Sequence, residues 1–436
     1  MKTNIKPIRL IMALLSLGTC ATAQTPTTLV SFNVGNGANP QAGLVASGGT
    51  LYGTTYGGGS SGYGTVFAIN ANGSGFTNVY SFTGGDDGAY PEAGLVLYGG
   101  ALYGTAYGGG YYENGTVFSV NTNGSGFTNV VSFSFGADPE AGLVLMSNTL
   151  FGTTYAGGSS GYGTVFRVNT DGTAFTNIYS FSGSPYGAYP QAGLVLSGNT
   201  LFGTTYAGGS SGFGTVFRIN TDGSSPSNVY SFAGGANGAN PEAGLVLSGN
   251  TLYGTTFGGG YYGDGTVFSV NTNGSGFQSC LFDYTNGANP QAGLLLLGNT
   301  LYGTTANGGS NGWGAVFQIS TNLGSIIDLY GFLGGGDGGS PMAGLALVGN
   351  TLYGTTQTAN SGSGSGTVFA LSVPALAPTL NIALQGNQVT LTWTNAAFCL
   401  QAATNVAGVW TNVANAASPY TNAITGAQQF FRLQEN

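Results

Sequence analysis

Seven prolines in this chain each open a short P-x-A-G-L stretch, and the variable residue after them carries most of the chemistry available. It is Gln41, Glu92, Glu140, Gln191, Glu242, Gln291 and, in the last copy, Met342. Carboxylates set among amides can trade protons, ligate a hard cation or pair with sugar hydroxyls. A second set of residues sits in glycine-rich segments: Tyr63, Tyr111 with Tyr112, Tyr162, Phe213, Tyr261 with Tyr262, and Trp313. Aromatic rings beside carboxylates and amides, with few cations nearby, suit neutral sugars, cationic ligands or Ca²⁺. The sequence contains no histidine. That removes the commonest general base and metal ligand, and with them any Ser-His-Asp, Cys-His or histidine-zinc chemistry. Paired carboxylates remain, as in glycosidases, where the carboxyls stand about 5 Å apart or roughly 6.5–9.5 Å apart.

The stretch LYGTTYGGGSSGYGTVF, Leu51 to Phe67, has the glycine content of a phosphate-binding loop. A phosphate loop needs a helix behind it and usually a lysine. Here β-branched and aromatic residues follow, and no lysine is present. The motif also returns, starting at Leu102, Leu150, Leu201, Leu252, Leu301 and Leu352. Seven copies describe a structural repeat rather than an active-site loop.

The prolines measure that repeat. Pro40, Pro91, Pro139, Pro190, Pro241, Pro290 and Pro341 are spaced by 51, 48, 51, 51, 49 and 51 residues. A period of 40 to 50 with short strands and tight turns is that of a propeller blade. In the fifth copy PEAGLVLSG, TLYGTTFGG, GTVFSVN and FQSCLF read as four antiparallel strands, with a turn at Asn271 to Gly274. The fourth-strand text recurs at Val79, Val130, Ile178, Val229, Cys280 and Leu329, but the last copy ends after its third strand at about Val373. The missing text, Leu29-Val30-Ser31-Phe32, stands at the other end of the repeat array. The N-terminal strand is therefore expected to complete the last blade and remove the open edges. The fold class predicted is all-β: a seven-bladed β-propeller of four-stranded blades over residues 27–373, closed by the N-terminal strand.

Residues 1–23 read as a signal peptide: Lys2, Lys6 and Arg9, an apolar run from Leu10 to Leu17, then Ala21-Thr22-Ala23. The alternative is a lipoprotein site at Cys20. No other apolar run reaches the ~20 residues of a membrane helix. Without the leader, Arg167, Arg218 and Arg432 face 14 acids, a net charge of −11. Nucleic acid is excluded as a partner on that balance. Cys280 and Cys399 sit in apolar strand-like runs and are expected as two buried thiols, the alternative being a disulfide between them. After a linker at 374–378, residues 379–436 read as a small β-sandwich-like module. Its first hairpin turns at Gly386-Asn387, and Trp393 and Trp410 are expected in its core. The alternative role for these tryptophans is an aromatic sugar platform.

P-x-A-G-L, L-Y-G-T-T, G-G-x-x-x-x-G-T-V-F and N-x-x-G in units of about 50 residues resemble the GloVer tandem repeat. The resemblance covers about residues 27 to 373. It implies a propeller in large secreted bacterial proteins and brings no catalytic residues with it. The C-terminal piece is similar, more loosely, to fibronectin-type or immunoglobulin-like modules. Two departures make any ligand ring uneven: GAVF replaces GTVF at Gly314, and the last copy has QTANSGSGSGTVF at Gln357 together with Met342.

With the first strand innermost, the second-to-third and fourth-to-first loops share one face. That face collects ten of the 14 acids, among them Glu92, Glu113, Glu140, Glu242 and Asp264. Asp171 and Asp222 fall on the other face, in NTDG turns that lack the alternating carboxylates of a calcium loop. Ligand contacts are therefore expected from Tyr63, Glu92, Tyr112, Glu140, Tyr162, Glu242, Tyr262 and Trp313. The tyrosines have a second reading as covers for glycine-rich loops, and the acids as solubilising charge. The functional expectation is a secreted or cell-surface, non-catalytic propeller that binds glycans or cell-surface polymers. No cofactor is expected, and Ca²⁺ is the one ion the pattern leaves open. The alternatives are a display scaffold and a carbohydrate-active enzyme.

Overall fold

A computed structural model describes residues 25–134, 137–359 and 364–374. It also describes 381–435, with breaks at 386–387, 394–397, 405–408, 415 and 424–429. The expected leader with Cys20, most of the expected linker, and the turn at Gly386-Asn387 lie outside these residues. The chain divides into two compact units, Ala23–Val373 and one holding Pro374–Asn436.

In the larger unit the described residues form seven four-stranded antiparallel sheets in a propeller-like arrangement. The fifth repeat shows the pattern: Val246–Ser248, Thr251–Thr256, Thr266–Asn271 and Gln278–Leu281, in that order across the sheet. The two middle strands are buried almost throughout. Strands covered on both faces carry continuous apolar sequence rather than strict alternation, which is why TLYGTT and TVFSVN look alike in polarity. Gly254 is required by packing. It pairs with Phe268, and a Cβ there would lie 2.7 Å from the Phe268 ring and 2.9 Å from Leu245.

The cores lie between neighbouring sheets. Phe82, just past the fourth strand of repeat one, meets Phe118 of repeat two edge-on at 5.0 Å between ring centroids. The same pair recurs at every junction, from Phe133–Phe166 (5.2 Å) to Phe332–Phe369 (5.1 Å) and Phe32–Phe67 (5.1 Å). Each edge-to-face contact adds about 0.5–1.5 kcal/mol to the burial of its rings.

The strand Thr27–Ser31 pairs with Thr367–Ser372 of the last repeat, with Ser31 opposite Thr367 and Thr28 opposite Phe369. Its register, including an irregularity between Thr28 and Val30, matches that of the fourth strand in repeat one, where Ser81 faces Thr65 and Asn78 faces Phe67. The glycines of P-x-A-G-L follow one another head to tail. A Cβ at Gly94 would lie 3.5 Å from the Gly43 carbonyl oxygen, one at Gly344 3.4 Å from that of Gly293, and one at Gly43 3.1 Å from that of Gly344.

Threonines ending the second strand and opening the third join through their hydroxyls, as in Thr55–Thr65 at 2.9 Å and Thr205–Thr215 at 2.9 Å. In repeat two the first threonine is replaced by Ala106, and the buried Thr116 hydroxyl has no hydrogen-bond partner among the described residues.

The smaller unit contains two three-stranded sheets. Gln388–Thr392 lies between Asn381–Gln385 and Tyr420–Ala423, and Phe398–Ala403 lies between Thr411–Asn412 and Phe430–Glu435. Leu391, Trp393 and Leu400 are its buried centre. Trp410, expected beside Trp393, is only half-buried and lies under the Arg432 guanidinium, 4.6 Å from the ring centroid. A cation stacked on the indole face holds it at the surface. Cys280 and Cys399 are free and half-buried, so neither is the fully buried thiol expected.

Candidate functional site

The residues after the seven prolines are half-buried, and five of them interact across repeat boundaries. Gln191 Nε2 donates to Glu140 Oε2 at 3.2 Å, and Gln291 Nε2 donates to Glu242 Oε2 at 3.0 Å. Burial pushes the Glu92 carboxyl up to about 7, helped by the charge of Glu140. Burial also pushes Glu242 up to about 7, opposed by the Gln291 hydrogen bond and assisted by Glu140. Glu140 is raised by burial and by Asp138, with the Gln191 amide pulling the other way. Glu140 thus acts on both Glu92 and Glu242, which come from two other repeats. Gln191 Oε1 and Gln291 Oε1 are buried acceptors without a hydrogen-bond partner among the described residues.

A partial collar of tyrosines, which the sequence reading did not select, runs beside them. Tyr56, Tyr107, Tyr155 and Tyr206 directly follow the second strand in repeats one to four, and Phe257 holds the same place in repeat five. The Tyr56 phenol is raised by burial, Glu92 and Tyr90. Tyr107 is raised first by Asp138, then by burial, Glu140 and Glu92. Tyr155 is raised by burial and Glu140. An aromatic at one fixed offset from LYGTT in five of seven copies was the available signal.

The residues before the prolines sit in the left-handed region, with φ of 55° at Asn39, 59° at Tyr90, 46° at Asp138 and 61° at Tyr189, and several of them support this collar. Such values are strained for a bulky side chain. Tyr90 stacks on Tyr56 (4.8 Å, 23°) and Tyr189 on Tyr155 (4.9 Å, 27°). Asn240 and Asn289 instead donate from Nδ2 to the carbonyls of Tyr206 (3.0 Å) and Phe257 (3.2 Å).

The glycine-loop aromatics divide into two groups. Tyr63, Tyr162, Phe213 and Trp313 lie against Gly84, Gly183, Gly234 and Gly334 of the next fourth-to-first loop. In all four cases the proline stands nine positions after the phenylalanine that follows the fourth strand, as Pro91 does after Phe82. Where Asn114 or Asp264 takes the aromatic's place, that distance falls to six and eight. These four aromatics therefore fill space over a longer loop. Tyr112 and Tyr262 occupy a different loop position and are solvent-exposed.

The acids of this face divide as well. Asp87 accepts from Tyr80 Oη (2.9 Å), Thr83 N (2.8 Å) and Thr83 Oγ1 (2.6 Å). Asp337 accepts from Tyr330 Oη (2.8 Å) and Leu333 N (2.9 Å). Asp283 accepts from Thr285 N (2.9 Å) and Asn286 N (3.2 Å). These three build loops. Asp171 likewise closes its NTDG turn by accepting from Thr173 N at 2.9 Å. No group of three or more carboxylate or thiol side chains has metal-binding geometry among the described residues. None of their helices is long and apolar enough to cross a membrane.

The sequence profile of the Gloeobacter/Verrucomicrobia repeat matches residues 17–183, 134–281 and 214–416. The chain belongs to that family. No curated protein matches it. Among solved structures, an oligogalacturonate lyase from Vibrio parahaemolyticus is similar at 10% identity, over 81% of this chain and 95% of its own, with a TM-score of 0.52. An oligogalacturonate lyase in complex with manganese shares 13% identity over 81% and 97%, with a TM-score of 0.49. A nidogen/laminin complex gives 14% over 61% and 89%, at 0.40. At these identities the first of them speaks for fold alone. In this Gloeobacter/Verrucomicrobia repeat chain the variable position of P-x-A-G-L supplies the carboxyls, and the residue after L-Y-G-T-T supplies the rings around them.

Proposed function

We propose that this protein is a secreted, non-catalytic binding propeller. Seven blades close into a ring through the N-terminal strand, and the P-x-A-G-L residues line the mouth of its central channel. The register match of Thr27–Ser31 and the head-to-tail glycines from Gly43 to Gly344 support the closed ring. The leader at 1–23 supports secretion. The two three-stranded sheets after Pro374 support a small sandwich-like module of the immunoglobulin-like kind.

The observation that carries the binding reading is the convergence of Glu92, Glu140 and Glu242 with Tyr56, Tyr107 and Tyr155. With Glu92 and Glu242 raised to about 7, the mouth holds largely uncharged carboxylic acids beside amides at mildly acidic pH. Such groups both donate to and accept from hydroxyls, and tyrosine faces take the apolar side of a sugar ring. The ligand class is therefore a glycan. A glycan-array screen of the purified protein tests this, repeated with Glu140→Gln and Tyr155→Ala. Specific signals weakened by both substitutions are expected. A blank array from folded protein removes the reading and leaves a display scaffold.

A catalytic reading draws on one observation, the neighbouring Glu92 and Glu140 with Glu92 protonated near neutrality, as a general acid must be. New reducing ends released from an array-positive glycan, and lost in Glu92→Gln, would establish it.

A further inference from the structure

We infer that the ligand is an extended pyranose polymer without negative charge, lying across the mouth and held on both sides by Tyr111–Tyr112 and Tyr261–Tyr262; this rests on the binding reading above. Four of the loop aromatics have a packing task over a neighbouring glycine. These two pairs have none. Tyr111 and Tyr112 are 73% and 51% exposed, and Tyr261 and Tyr262 83% and 82%. Tyr111 and Tyr112 contact each other edge-on at 4.8 Å. The other full loops carry small polar residues there, Ser60-Ser61, Ser159-Ser160, Ser210-Ser211 and Ser310-Asn311, so the fold does not require tyrosine. Large rings held in water without a structural task mark a contact surface, and paired tyrosines match stacked sugar rings.

Placement decides the size of the ligand. The pairs belong to repeats two and five of seven, so in a closed ring they stand on opposite sides of the mouth. A ligand that engages both pairs as well as Glu92, Glu140 and Glu242 must therefore be a chain rather than a single sugar. Charge decides the class. Glu113 and Asp264 flank the tyrosines, and the described cations of the larger unit, Arg167 and Arg218, are in the third strands Thr164–Asn169 and Thr215–Asn220. An anionic polymer would be repelled by Glu113 and Asp264 beside the tyrosines.

The test titrates N-acetylglucosamine oligomers of rising length, their deacetylated forms and polygalacturonate against the full protein. Two double variants, Y111S/Y112S and Y261S/Y262S, restore the serines of the other repeats. Affinity is expected to rise about tenfold or more once the oligomer spans both pairs. Each double variant should abolish that rise while short oligomers bind as before, and polygalacturonate should not bind. The acetylated and deacetylated arms show whether the amine contributes. Length-independent affinity, or long-oligomer binding unchanged in both variants, overturns the inference and leaves mouth binding standing. If no oligomer of either form binds the wild type, the mouth reading falls with it.

Discussion

Single residues set both the chemistry around Glu92, Glu140 and Glu242 and the weak points of the fold. Glu92 and Glu242 hold their protons up to about 7 instead of the ordinary 4.5, so the folded protein binds protons more tightly than the unfolded chain between those values. The stability this adds is complete below the ordinary carboxyl value and is lost as pH rises through about 7. Tm should therefore fall from about pH 5 to about pH 8, and E92Q/E242Q should flatten that slope and raise Tm at the alkaline end. An unchanged slope in the double variant would place these carboxyls in water. In repeat two, Ala106→Thr should restore the hydroxyl pair that Thr116 lacks and stabilise the protein by about 1 kcal/mol, read by denaturant unfolding. The contacts of Gln191 with Glu140 and of Gln291 with Glu242 were prefigured because P-x-A-G-L repeats a carboxylate or amide at one fixed offset. The tyrosine collar was missed because Tyr56 and its equivalents sit beside glycine runs that drew attention to Tyr63. The role of Asp87 was hidden because its partner, Tyr80, comes from the preceding fourth strand.

Within elements, loop length and loop aromatic vary together. Tyr63, Tyr162, Phe213 and Trp313 appear where the next loop is long, and Asn114 or Asp264 where it is short. This makes Tyr63 a packing residue first. Tyr63→Ala is expected to cost about 1–2 kcal/mol in thermal or chemical unfolding, while Tyr262→Ala should change stability by less than about 0.5 kcal/mol. Equal effects would erase the distinction between the two groups. The strands themselves were readable from the seven-fold text. The shorter fourth strand Gln278–Leu281 also follows from the sequence, since FQSCLF is one residue shorter than FTNVYSF, and it pairs without the irregularity found in repeat one. The left-handed residues before the prolines were readable only in part, at Asn39, Asn240 and Asn289. Glycine or asparagine would announce such a position, but Tyr90 and Tyr189 do not.

For the whole molecule, the N-terminal strand matters most. Thr27–Ser31 covers the edge of Thr367–Ser372 and seats Phe32 against Phe67. Removing residues 25–33 should expose that edge, lower Tm by several degrees or more, and promote self-association detectable by light scattering. A truncated protein as stable and monodisperse as the intact one would contradict closure by this strand. In the proposed closed ring, Glu92, Glu140 and Glu242, from three different repeats, would share a single mouth. The measurement that tests this account most directly is a crystal structure of the protein with its tightest array-selected glycan. The account predicts sugar density at the mouth, with hydroxyls against Glu140 and Glu242 and a ring face against the tyrosine collar. Density confined to the opposite face, or to the unit after Pro374, would contradict it.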